Sequence, residues 1–349
     1  MSTESPATLL GAYRRFRNDE TFRAEHEHAL YEMLVRYPEL TRRGVTGVEE
    51  QLAGIDENAS PPSSRTWNVG MTAPEEQAYC EWFASHLYLG AGAWIELGTF
   101  LGSLTIPSAL GLAANPRRAV RNRRIRAFDL FQWDAVMTAS VKGTPFEGRC
   151  TEGESYEDLY RATIADVADR VEVHQADLVW YRYDGEPIEF LMVDVMKHEY
   201  LVANVLGQFF GHVLPGIGHV FHQDYLHFYE GWITLSMYRL RDYFTPVCEV
   251  GAAVAFRCEE QPPNASLTFP LDSKKIDAAW IDEAFAWSRS VISEQHHHEV
   301  AATHVMTLVH ANRLEDAARA YHAGAARYPG SYSFAWMTDY LKTDRNLVF

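Results

Sequence analysis

Four acidic residues stand where strand-end chemistry is done: Glu96 in AWIELGTFLGS, Asp129 in IRAFDLF, Asp194 in FLMVDVMKHEY and Asp224 in VFHQDY. Each closes or follows a short apolar run. A carboxylate so placed can accept hydrogen bonds from sugar hydroxyls, take a proton from a nucleophile or help to hold a cation. A fifth acid, Asp177, follows VEVHQA, where it can receive a nucleobase amino group. Lys197 and His222 lie beside these acids and add two groups that exchange protons.

The loop after Glu96 spaces Gly98, Thr99, Gly102 and Ser103 as GxxxG. Glycine permits positive φ and close approach of a ligand, and the amides at the start of a helix can bind a carboxylate or phosphate. The spacing is neither the GxGxxG of dinucleotide folds nor the GxxxxGK[ST] of polyphosphate loops. By itself it also describes a plain strand-to-helix turn. Beyond Asp224, the stretch FHQDYLHFYEGW gathers His227 and several aromatics that can pack or can face a cation. Phe131 and Trp133 stand close to Asp129 in the same way.

The elements that must carry these residues alternate. Strands are predicted at Ala93–Leu97, Ile125–Asp129, Val171–Gln175, Phe190–Asp194 and His219–His222, with helices over Ser103–Ala114, Ser155–Ala168 and Glu199–Leu214. Such alternation gives a mostly parallel sheet covered on both faces. A long amphipathic helix, GWITLSMYRLRDYF, follows. Two further strands, Thr245–Val250 and Ala253–Cys258, are joined by only Gly251 and Ala252, so they pair antiparallel. The prediction is an α/β fold: a doubly wound, seven-stranded, mostly parallel sheet with an N-terminal helical cap and a C-terminal helical extension.

Three regions follow. Residues 1–66 form the cap and linker: helical periodicity runs over 6–43 and a polar Pro-Pro stretch over 52–66. Large apolar residues in the cap (Tyr13, Phe16, Phe22, Leu30) predict that it is buried, as a lid over the crevice or against another surface. Residues 67–271 form the sheet domain, where Asn68, Gly70 or Met71 is expected to reach the ligand and Thr72 to cap the next helix. Residues 272–349 are helical and include a hairpin of tetratricopeptide type, expected to pack on the sheet domain or a second subunit. The His296–His298 cluster there is predicted to lie far from the crevice.

Composition removes several function classes. The net charge of −16 argues against sequence-independent nucleic-acid binding. No apolar run reaches membrane-spanning length, and no secretory signal is recognisable. Cys80, Cys150, Cys248 and Cys258 lack metal-like spacing, so free thiols in the cytoplasm are expected. Six arginines between Arg117 and Arg126 read as a solvated loop.

Together, residues 93–258 resemble a class I S-adenosylmethionine-dependent methyltransferase. The hairpin after the fifth strand is that fold's reversed last strand. The run IEFLMVDVMKHEY … FFGHVLPGIGHVFHQDY looks like the branch that holds macrolide-sugar O-methyltransferases. The resemblance implies that Glu96, Gly98 and Gly102 frame the methionine portion of S-adenosylmethionine, with Thr99, Ser103, Leu130, Asp194 and Met71 as further cofactor contacts. Asp129 would hold ribose, and Asp177 with Leu178 adenine. His222, Asp224 and Lys197 are the catalytic candidates. Relatives often carry IDGDHSY at the fourth strand. Here Met196 and Lys197 replace the second acid and the histidine; Asp194 and Asp224, with His222 or Gln223, could still hold Mg²⁺, but a metal is not expected. The implied reaction is methyl transfer to a small polar or natural-product substrate, with a homodimer as one assembly. A second reading keeps the cofactor and closes its own amine onto Cγ, giving azetidine-2-carboxylate and methylthioadenosine.

Overall fold

The computed structural model describes residues 68–183, 185–229, 231–268 and 276–349. The predicted helical cap, its linker and Trp67 lie outside the described residues.

The described chain opens with Asn68–Ala73 and helix α1, Pro74–Trp82. Pro74 takes the first helical position, where a missing N–H costs nothing. The cap residue is Ala73, not Thr72 as predicted, and the Glu76 side chain reaches back to accept from the Ala73 N–H at 2.9 Å. Strand β1, Ala93–Leu97, leads to α2, Thr105–Ala114, and then to β2, Ile125–Asp129. Two short helices follow: α3, Ala135–Ser140, and α4, Glu157–Thr163. The chain then forms β3, Val171–Gln175, and β4, Ile188–Val193. Next come α5, Glu199–Phe209, β5, His219–His222, and α6, Gly231–Arg239. Strands β6, Phe244–Val250, and β7, Ala253–Cys258, close the sheet.

These strands form one seven-stranded sheet in the order β3-β2-β1-β4-β5-β7-β6. Strands β1 to β5 run parallel, and β7 is antiparallel to both β5 and β6. The chain winds outward in opposite directions from β1 and β4, so the order reverses between them. In open α/β sheets the crevice outside the strand ends at such a reversal is where ligands bind. Strands β3 and β6 are the edges, and β6 carries Pro246 with a register shift between Pro246 and Cys248.

The central strands are buried on both faces: all five positions of β1 and all six of β4 and β7 are buried. Alternation sends Ile95, Leu97, Val193, Val220 and Phe256 to one core, with α5, α6 and the C-terminal helices. Trp94, Phe190, Met192, Phe221 and Ala255 enter the other core, under α1 and α2.

The C-terminal extension comprises α7, Ala278–Val291, α8, His297–His310, α9, Leu314–Arg327, and α10, Tyr332–Asp344. It packs on the sheet domain. A Cβ at Gly231 would lie 1.8 Å from Thr307 Oγ1, so α6 and α8 approach through the absence of a side chain. Trp336 of α10 sits edge-on to His227 and Phe228. No helix among the described residues is long and apolar enough to cross a membrane. All four cysteines are free, and Cys80, Cys248 and Cys258 are buried.

Candidate functional site

The loop between β1 and α2 is built by backbone geometry that most side chains refuse. Gly98 has φ +85°, and a Cβ there would stand 2.6 Å from the Asp194 carbonyl oxygen. Glycine thus lets the end of β1 close against the end of β4, at the point where strand order reverses. Gly102, at φ +81°, would drive a Cβ to 2.8 Å from Ile164. Phe100 and Phe131 adopt positive φ without being glycine. Such conformations cost on the order of 1–3 kcal/mol each and persist where surroundings enforce them.

Asp129 is a large part of that enforcement. Its Oδ2 accepts from the Thr99 N–H at 2.7 Å, Thr99 Oγ1 at 3.3 Å and the Phe100 N–H at 3.3 Å. Its Oδ1 accepts from the Phe131 N–H at 2.8 Å. One carboxylate therefore ties the β1 loop to the β2 loop. A carboxylate has about four acceptor positions, so Oδ1 keeps capacity for a ligand hydroxyl while Oδ2 is occupied. Ser103 is buried beneath the entering chain: Thr72 Oγ1 donates to its Oγ at 2.9 Å, and a Cβ on Gly70 would lie 2.4 Å from that oxygen. Met71 beside them is 42% exposed.

Across the reversal, Lys197 Nζ lies 3.1 Å from Asp194 Oδ1 and also pairs with Asp224 Oδ2. Two carboxylates share one ammonium. Burial, then the neighbouring Asp224 charge, raise the Asp194 carboxyl, against the pull of Lys197. At Asp224 the Lys197 and His227 charges outweigh burial and lower it. This arrangement revises the role of Lys197. An ammonium between two carboxylates places charge, and this geometry favours that role over a base's. Among the described residues no group of three or more His, Cys, Asp or Glu is placed to hold a metal ion.

Sequence reasoning missed one member of this cluster, Glu76, and considered another, Gln223, only as a cation ligand. Glu76 is buried; its Oε1 accepts from the Ala252 N–H at 2.9 Å, and burial pushes its carboxyl up to about 8. Gln223 bridges Glu76 and Asp224. With Nε2 toward Glu76 it donates at 3.3 Å. In the opposite amide orientation its nitrogen lies 2.7 Å and 3.2 Å from the Asp224 oxygens. The second arrangement satisfies both carboxyls when Glu76 keeps its proton, which its raised pKa provides. The paired acids of TAPEEQAY signal a helix start, but nothing local points to Ala252, far along the chain.

No family model matches the chain, and no curated protein matches it.

The remaining predicted positions divide. Glu96 is 1% exposed and turns away from the crevice: strand alternation puts it on the Trp94 face, where both carboxyl oxygens accept from Thr105 Oγ1 at 2.9 and 2.8 Å. Burial, followed by the charges of Asp129 and Asp194, raises its carboxyl to about 8. His222 is corrected in the same way. It lies fully buried in the opposite core between Phe210 and Phe256, and neither ring nitrogen has a hydrogen-bond partner. Burial drops its pKa to about 3, so it is a neutral packing residue and not a crevice base.

Leu178 also belongs to the core, and its carbonyl accepts from Asn204 Nδ2 at 2.6 Å. Asp177 is exposed, and its Oδ1 accepts from the Val179 N–H at 2.9 Å. Leu130 and Trp180 are 48% and 75% exposed, the large apolar surfaces nearest in sequence to Asp129 and Asp177. Phe131 and Trp133 are buried and pack on Tyr156 rather than presenting a free face. His296 is closer to the strand ends than predicted, with Nε2 3.9 Å from Glu249 Oε2 at the end of β6.

These residues carry the groups that a nucleoside with a charged amino-acid tail would need. Asp129 Oδ1 has acceptor capacity for ribose, Leu130 and Trp180 offer apolar surface, and the Gly98 turn leaves the backbone bare. The Asp194–Lys197–Asp224 cluster carries charges of both signs for the tail.

Proposed function

We propose that the chain is an S-adenosylmethionine-dependent methyltransferase acting on a small molecule. The observation that carries this reading is the Gly98 turn at the strand-order reversal, closed against Asp194 and tied to Asp129. The reversed strand β7, between β5 and β6, supports the same family reading. The cofactor would supply an electrophilic methyl group whose bonding pair leaves on sulfur.

The chain's own residues then have three tasks. Asp129 holds the β1 and β2 loops together and offers Oδ1 to a hydroxyl. Asp194 and Asp224, held by Lys197, fix the charge at the crevice floor, and Asp194, whose carboxyl is raised, takes the proton that the nucleophile loses. The strained but tethered loop keeps the binding surface in place before the ligand arrives, so that rate comes mainly from positioning.

The test is to titrate the protein with S-adenosylmethionine by calorimetry, and to analyse products after incubation with candidate hydroxylated small molecules. Binding and release of S-adenosylhomocysteine support the reading. Release of methylthioadenosine would move the assignment to ring closure within the cofactor. Absence of binding would refute both.

A further inference from the structure

A second space, of about 500 Å³, lies at the end of β6, where the sheet domain meets the C-terminal helices. Glu75, Glu249 and Glu299 line it with His296 and Tyr332, and among the described residues no lysine or arginine is in its walls. Glu299 is the most informative. Its side chain is 5% exposed, and Oε1 accepts from the Tyr332 hydroxyl at 2.5 Å. Among the described residues its Oε2 accepts no hydrogen bond of good geometry, and His298 Nδ1 lies 3.1 Å away, an ion pair only when that ring is protonated. The buried Oε2 of Glu75 likewise has no hydrogen-bond partner. Burial pushes the Glu299 carboxyl up, but hydrogen bonds from His296 and Tyr332 outweigh it and the group sits below its ordinary range.

An anionic carboxylate with a bare buried oxygen is costly without a donor. A metal ion would need several ligands at once, and no such group stands together among the described residues. A protonated amine needs less: it brings one charge and up to three donors, and a cavity of this size admits a small organic molecule. The cavity is tied to the crevice by hydrogen bonds. Ala73 and Ala252 line it, and both donate their N–H groups to Glu76, which Gln223 links to Asp224.

We propose that this cavity is the acceptor pocket, that the acceptor is a small molecule bearing a protonated amine, and that Glu299 with Glu249 holds that amine. The proposal rests on the methyl-transfer reading for the word acceptor, and on the cavity alone for the amine. A protonated amine has no lone pair, so it anchors the molecule and a different atom of it receives the methyl group.

The experiment uses the full chain near neutral pH and three matched pairs of probes: cyclohexylamine against cyclohexanol, benzylamine against benzyl alcohol, and glucosamine against glucose. Calorimetry should find at least one amine bound about tenfold more tightly than its neutral partner. Glu299→Gln should remove that preference, and Glu249→Gln serves if the first variant does not fold. Equal binding within every pair, a preference that survives both substitutions, or no binding of any amine overturns the proposal. Titration with S-adenosylmethionine alongside separates the two claims. Cofactor binding without amine preference sinks the pocket alone. Amine preference without cofactor binding sinks the methyl-transfer reading and leaves an amine site.

Discussion

Replacing Glu96 by glutamine separates a structural acid from a ligand-binding one. In the folded chain its carboxyl titrates at about 8, against 4.5 when free in solution. The folded state therefore keeps a proton that the unfolded chain releases, and stability falls as pH rises from the lower value through the upper one. At about 1.36 kcal/mol per decade, the difference is at most ~5 kcal/mol. Water reaching the site and local relaxation reduce it. Glutamine keeps the shape and cannot ionise. Glu96→Gln should thus match the native chain near pH 4.5 and exceed it increasingly up to about pH 8, by more than ~1 kcal/mol at the upper end. Urea unfolding across that range measures the difference directly, and comparison with the native chain cancels the parallel contribution of Glu76. A flat or inverted difference would show that Glu96 is ionised in the folded protein and would return it to the crevice. Calorimetry adds a second check: cofactor affinity should stay within about threefold, since the hydrogen bonds of Glu96 go to Thr105.

Gly98→Ala should cost several kcal/mol, because alanine must adopt positive φ and its Cβ meets the Asp194 carbonyl; a thermal midpoint near that of the native chain would contradict the close approach. Asp129→Asn should weaken S-adenosylmethionine binding at least about tenfold by calorimetry, since an amide nitrogen would face either loop donors or the ligand hydroxyl. EDTA should leave the native activity unchanged. Lys197→Ala should lower activity and, by exposing two adjacent carboxylates, make the variant's stability respond to added Mg²⁺ in a thermal melt.

The sheet was legible because its strands are short apolar runs bounded by glycine, charge or proline. Ala93–Leu97, Ile125–Asp129 and Val171–Gln175 stand where their patterns place them. Strand β4 begins earlier, at Ile188, and ends at Val193, leaving Asp194 in the loop. The helix predicted over Ser155–Ala168 breaks at Thr163 and continues as a tight 3-10 turn, Ala165–Arg170. Side-chain direction was the weaker inference. Glu96 and His222 both sit at strand ends, as catalytic groups do, yet each points into a core. Period-two alternation with Trp94 and Val220 would have shown this for both. The contacts of Glu76 with Ala252 and Gln223 join segments far apart in the chain, so no local pattern could reveal them.

The edge strand β6 has a consequence for how copies of this chain meet. Pro246 has no N–H, and the register shift beside it bends the strand. Its outer rim therefore presents no unbroken row of donors and acceptors to an incoming strand. At the opposite rim, β3 is only five residues long and exposes Glu172 and Gln175. Both rims are poor templates for edge-to-edge sheet extension, which is how exposed strands seed aggregates. Among the described residues, the surfaces left for self-association are the helices and loops.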